Sequence, residues 1–278
     1  MAYKRILTMQ DISCIGQCSM TVAMPILSVC GHEVCILPSK LQSTHTGGFG
    51  KPVVRDLSGS LTDIFVHWQQ AGITFDAIYT GYLGSVEAIE AAGMIMDTML
   101  APGGKIIIDP AMADHGKLYS GFDEEYAGAM IGLCDKADVI LPNITEAAMM
   151  TGLSYQQELE ESYITRLLDG LKDRNVILTG VGYTPEETGA AVQCGGCRMH
   201  YSHQKIGKSY HGTGDIFAAC FTGAWMQGLE IFDAVKVAAE FTFRCIENTS
   251  REPAHWYGVK FETALPDLLR MLSEYQRK

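Results

Sequence analysis

Residues 75–110 read FDAIYTGYLGSVEAIEAAGMIMDTMLAPGGKIIIDP and hold a strand, a helix and a second strand in succession. The apolar run 76–80 is cut by Gly81 and Gly84, and over 85–100 the apolar residues recur at helical spacing. Residues 105–108 form a β-branched run that ends on Asp109 and Pro110. Two strands joined by a crossover of helix length lie parallel in one sheet.

The same alternation extends in both directions. Upstream, a strand at 6–9 precedes a helix over 19–30 closed by Gly31, a strand at 33–37 and a helix over 61–71 stopped by Gly72. Downstream come a helix near 124–134, a strand at 139–141, helices near 146–151 and 163–172, and a strand at 176–179. Alternating residues over 191–201 read as a hairpin turning at Gly195 and Gly196. Helices over 213–227, 232–248 and 265–275 follow. The expected fold is α/β, a doubly wound, mainly parallel sheet flanked by helices with a C-terminal helical section. No repeat or linker divides the chain, so residues 1–278 are expected to form one domain. Ligands of such sheets bind beyond the carboxyl ends of the strands, which directs attention to 11–13, 81–85, 109–114, 143–146 and 179–182.

The 278 residues are 47% hydrophobic and 19% charged, a globular balance that excludes a disordered or fibrous chain. With 21 Lys and Arg against 32 Asp and Glu, the formal charge is −11, which argues against nonspecific binding to nucleic acid or anionic membrane. A small-molecule partner fits better. The start turns polar at Gln10 and Asp11, unlike a secretory signal, and no run approaches the roughly 18 apolar residues of a membrane helix. A cytoplasmic location with free thiols at the nine cysteines is expected. Cys194 and Cys197, followed by His200 and His203, have the residue types of a zinc knuckle, but the alternation through them favours hairpin thiols without a metal.

Chemistry concentrates at His211-Gly212-Thr213-Gly214-Asp215, directly before the apolar helix. Glycines ahead of a helix let backbone N–H groups converge on an anion, and the helix dipole adds positive charge there. Asp215 could be a favourable charge in a first helical turn, or a base that takes a hydroxyl proton while the cradle stabilises a phosphoryl group in transfer. Asn143 and Glu146 have the spacing of a capping box, which leaves room for a contact to a cation through water.

The motif GTGDIFAA resembles that of the ribokinase-like superfamily. Ser13 after the first strand, STHTGGF at 43–49, TGYLGS at 80–85, DPAMAD with Gly116 and Tyr119, and LPNITEAAMMTG at 141–152 resemble, in that order, the pyridoxal (vitamin B6) kinase branch. The resemblance implies ATP-dependent phosphorylation of the 5′-hydroxymethyl group of pyridoxal, pyridoxamine or pyridoxine. It implies that Asp215 is the general base and that Gly212, Thr213 and Gly214 form the anion hole for the γ-phosphate. Ser13 and Thr46 would face the vitamer, with Tyr82 packed beside its ring; His45 is by type a hydrogen-bonded loop residue, whose place next to Thr46 leaves a substrate contact open. Asp109, Asn143 and Glu146 would organise Mg-ATP, Asp109 and Glu146 facing Mg²⁺ through water. Tyr119 and Thr179 would lie along the nucleotide. A monovalent cation such as K⁺ and a homodimer are further implications.

Two departures stand out. Gln17, Cys18 and Ser19 occupy a stretch where many B6 kinases have Val-Gly-Asn, and HTGGF replaces an HTGY type, with a polar loop running on to Arg55 as a candidate cover. Hydroxymethylpyrimidine kinase of thiamine synthesis is the nearest alternative. A vitamer-binding protein without catalysis is another.

Overall fold

The structure is a computed structural model that describes residues 3–207, 210–252 and 254–275. The chain begins β1 (Arg5–Ser13), α1 (Met20–Val29), β2 (Glu33–Gln42), β3 (Val54–Asp56), α2 (Ser58–Gln70), β4 (Phe75–Thr80), α3 (Val86–Met99) and β5 (Leu100–Ile108). A small ribbon of β6 (Ala113–Asp114) and β7 (Lys117–Leu118) precedes α4 (Glu124–Leu133), β8 (Val139–Ile140), α5 (Ile144–Thr151), α6 (Glu161–Gly170) and β9 (Val176–Thr179). The hairpin β10 (Glu187–Cys194) and β11 (Cys197–Gln204) leads to α7 (Thr213–Met226), α8 (Ile231–Ser250) and α9 (Leu265–Tyr275).

Among the described residues nine strands form one sheet, ordered β11-β10-β9-β8-β5-β4-β1-β2-β3. The six from β9 to β2 run parallel, and antiparallel strands close both edges. Parallel strands covered on both faces must be apolar throughout, which is why the strands read as short unbroken runs in the sequence. In β1, Leu7 and Met9 point into the core shared with α3 to α6, whereas Ile6 points into the core beneath α1, α7 and α8.

Three local features differ from the sequence reading. β2 runs past Pro38 to Gln42, with the register to β1 slipping between Gln10 and Ile12. Pro38 is tolerated because β3 pairs only from Lys40 onward, leaving the proline on a stretch with one sheet neighbour. β3 itself is a three-residue, fully exposed edge strand, so the polar loop ends in the sheet before Arg55. The β6–β7 ribbon turns on His115 and Gly116, both with positive φ. The Gly195-Gly196 hairpin stands as expected, with Cys194 opposite Cys197. Among the described residues no helix is long and apolar enough to cross a membrane.

Chain direction reverses around β1. From it the chain moves outward to β2 and β3, then returns across the sheet to β4 and continues to the far edge. α1, which follows β1, and α3, which follows β4, therefore cover opposite faces. The carboxyl ends of β1 and β4 flank this reversal, the position where doubly wound sheets form the crevice that binds ligands. The Asp11 N–H donates to the Tyr82 carbonyl (3.0 Å) and ties these two strand ends together.

Fully buried Phe221 anchors α7 over the sheet, with Trp225 stacked 5.8 Å away. Phe221→Ala is expected to cost about 3–5 kcal/mol by cavity formation. Urea unfolding reads this as a lower midpoint at unchanged slope. A loss under about 1 kcal/mol would mean that the site collapses readily and that α7 is held by other contacts.

Candidate active site

The first turn of α7 is built around Gly212. This residue caps the helix in a left-handed conformation (φ 82°), and a Cβ there would stand 1.9 Å from the Gln17 carbonyl oxygen. Both the backbone angle and the close approach demand glycine. The first helical bond runs from the Ile216 N–H to the Gly212 carbonyl (3.0 Å), so the N–H groups of Thr213, Gly214 and Asp215 have no acceptor within the helix. At the positive end of α7 they are donors that could receive an anion. The Thr213 hydroxyl is turned back onto the Tyr210 carbonyl (3.3 Å).

Asp215 is in this turn. Burial, assisted by the charges of Asp109 and Asp11, pushes its carboxyl up to about 7, while the Ser19 N–H draws it the other way. Ser19 holds φ 50° and ψ −128°, a sparsely populated conformation for a residue with a side chain. From this conformation the Ser19 N–H serves the Asp215 carboxylate. A carboxyl poised near neutrality is suited to taking a proton at physiological pH.

Asp109 directly follows β5, within reach of the Glu146 charge. Asn143 and Glu146 do form the capping box of α5, with bonds of 3.0 and 2.9 Å. Glu146 does more, since its other oxygen accepts from the Met112 N–H (2.9 Å), and the Asn143 amide donates to the Ala113 carbonyl (2.7 Å). The pair thus fixes the loop after Asp109. Burial lifts the Glu146 carboxyl to about 7 and, with the charge of Glu146, lifts Asp109 well above the carboxylate range. One Asp109 oxygen accepts from the Ala111 N–H (3.2 Å). These oxygens suit a hard cation such as Mg²⁺, which keeps water and takes further ligands from phosphates. Thr179 bridges to Asn143 at the end of β9, with its N–H on the Pro142 carbonyl (2.9 Å).

On the β1 side, buried Asp11 accepts from the Ser13 hydroxyl (3.1 Å) and the Gln42 amide (2.8 Å), leaving the Ser13 oxygen as an acceptor. His45 is buried, and both ring nitrogens are used within the protein: Nδ1 accepts from the Gly47 N–H (2.9 Å) and Nε2 donates to the Tyr257 carbonyl (2.8 Å). It shapes its loop and has no ring nitrogen left to offer a ligand, whereas Thr46 is exposed at the tip. Tyr82 stacks on Phe122 at 5.1 Å, with the Lys40 ammonium 5.6 Å from the ring centre. Tyr119 is 37% exposed at the edge of the same aromatic group. Asp11, Ser19 and Lys40 were not given roles by the sequence reading. A carboxylate at the buried end of an apolar strand is the signal that could have found Asp11.

The sequence profile of the phosphomethylpyrimidine kinase family matches residues 64–259, a stretch holding Tyr82, Asp109, Asn143, Glu146, Thr179 and Asp215. The chain belongs to the phosphomethylpyrimidine kinase family. A crystal structure of pyridoxal kinase from Lactobacillus plantarum superposes on this kinase with a TM-score of 0.89 at 31% identity, over 99% of both chains. A putative phosphomethylpyrimidine kinase from Bacteroides thetaiotaomicron, solved with pyridoxal, gives 0.89 at 32% identity over 96% of each chain. A hydroxymethylpyrimidine/phosphomethylpyrimidine kinase of Bacillus subtilis is 30% identical over 177 residues, 63% of this chain and 64% of that protein. The ribokinase-like fold expected from the sequence is thereby established.

In this kinase Asp215 binds its proton more tightly when folded than when unfolded. From its ordinary 3.8 up to about 7 the folded state holds the extra proton, so stability falls as pH rises through that window. Asp215→Asn is expected to raise the melting temperature at pH 8 and to lose that advantage near pH 4. Equal melting shifts at both pH values would contradict the raised carboxyl.

Proposed function

We propose that this kinase transfers the γ-phosphoryl group of ATP to the hydroxymethyl group of a B6 vitamer, pyridoxal, pyridoxamine or pyridoxine. The observation that carries the chemistry is Asp215 in the first turn of α7, its carboxyl lifted to about 7 beside three N–H groups without helical acceptors. Asp215 takes the proton of the substrate hydroxyl as its oxygen attacks the γ-phosphorus, and the bond from that phosphorus to the bridging oxygen breaks to release ADP. The N–H groups of residues 213–215 stabilise the charge on the transferring group, and little else than positioning is required. Asp109 would hold Mg²⁺ through water. When bound, the ion supplies charge neutralisation between the phosphates. The loop fixed by Glu146 keeps Asp109 in place.

For the acceptor, likeness to a pyridoxal kinase along 99% of both chains supports the B6 reading, as does the pyridoxal in the Bacteroides structure. The stacked Tyr82 and Phe122 rings beside the crevice suit a flat heterocycle. Hydroxymethylpyrimidine is the second reading, favoured by the family profile and by the Bacillus relative.

The test compares kcat/KM for the three vitamers and hydroxymethylpyrimidine with Mg-ATP. A vitamer is expected to lead, with a rate that rises with pH through about 7 as Asp215 ionises. A lead for the pyrimidine would move the acceptor to the second reading, and vitamer binding without ATP turnover would make the protein a carrier. Asp215→Asn is expected to retain ligand binding while kcat drops by roughly 10²- to 10⁴-fold. Turnover near that of the parent would remove Asp215 as the base.

A further inference from the structure

Gln17 belongs to the stretch that departs from the B6 kinase pattern, and its amide is committed within the protein at both ends. Nε2 donates to the two oxygens of Glu262 (3.1 and 2.9 Å), which fixes the amide orientation, and Oε1 accepts from His255 Nε2 (2.9 Å). Both partners belong to the connector between α8 and α9. The Gln17 carbonyl, in turn, lies against Gly212 at the start of the anion site. One residue therefore touches the connector with its side chain and the phosphate cradle with its backbone.

The connector also seats the loop that carries Thr46. The Tyr257 carbonyl receives the His45 Nε2 bond, and Phe49 packs 4.7 Å from Trp256 and 5.7 Å from Tyr257. Gly48 comes so near that a Cβ would stand 2.5 Å from the Trp256 ring. The loop after β1 and the 45–49 loop meet on this one segment, and the Gln17 backbone joins them to the first turn of α7. We infer that Gln17 is a positioning residue: through Glu262 and His255 it latches the connector as a wall of the site and so sets where Thr46 and Gly212 stand.

The kinetic consequence rests on the kinase reading above, whereas the latch itself does not. Gln17→Glu sets a carboxylate against that of Glu262 and should open the latch. Adding Glu262→Gln restores a carboxylate and an amide with their roles exchanged, and leaves an acceptor for His255. Hydrogen exchange of residues 254–262 is expected to be at least about fivefold faster in Gln17→Glu and to return to the parent rate in the double variant. KM for the alcohol is expected to rise about tenfold in the single variant and to recover in the double one. Gln17→Ala and Glu262→Ala serve as a second pair, with the same loss expected singly and together. Parent-like exchange in Gln17→Glu, or a double variant no better than the single one, would overturn the latch. Should no alcohol be phosphorylated at all, the kinase reading fails while the exchange data still decide the latch.

Discussion

Four carboxylates crowd the carboxyl end of the sheet, and the arrangement of the site follows from keeping them there. Asp11 is satisfied by Ser13 and Gln42, and Glu146 by backbone N–H groups of Asn143 and Met112. Asp109 and Asp215 are less completely matched, and burial and like charge displace both toward the neutral form, as burial also does Glu146. Unmatched negative charge in a partly dry crevice is costly unless cationic or proton-bearing groups arrive. The two carboxylates left short of partners are those assigned to cation and to substrate hydroxyl.

The positive end of α7 works against that crowding. Its N–H groups and dipole favour negative charge at the place where Asp215 and a phosphate would both be drawn. Gly212 and Ser19 give the turn its form, one by permitting a left-handed cap against the Gln17 carbonyl, the other by holding a backbone angle that few residues adopt. Local strain and a close backbone approach thus occur together where positioning matters most.

The sheet and its helices were legible because buried parallel strands must be apolar and their crossovers must be helical. The unit at 75–110 displays both in one short stretch. β3 was not legible, since Val54, Arg55 and Asp56 are exposed and carry no alternation, and β2 was cut short because Pro38 ordinarily ends a strand. Within the site, Asp215 and the 143–146 pair could be read from local chemistry. Gln17 could not, because its partners His255 and Glu262 are about 240 residues away and only the folded chain brings them near. His45 shows the converse: its type read as a hydrogen-bonded loop residue and only its place beside Thr46 suggested a ligand contact, and two bonds to backbone occupy its ring.

The Glu146 bonds also bear on how a nucleotide would be received. The segment after Asp109 is tied to the start of α5 by Met112, Ala113 and Asn143 in the free protein. Its conformational entropy is given up during folding and need not be surrendered again on association. Binding energy from the phosphates would then not be spent on ordering the segment that follows Asp109.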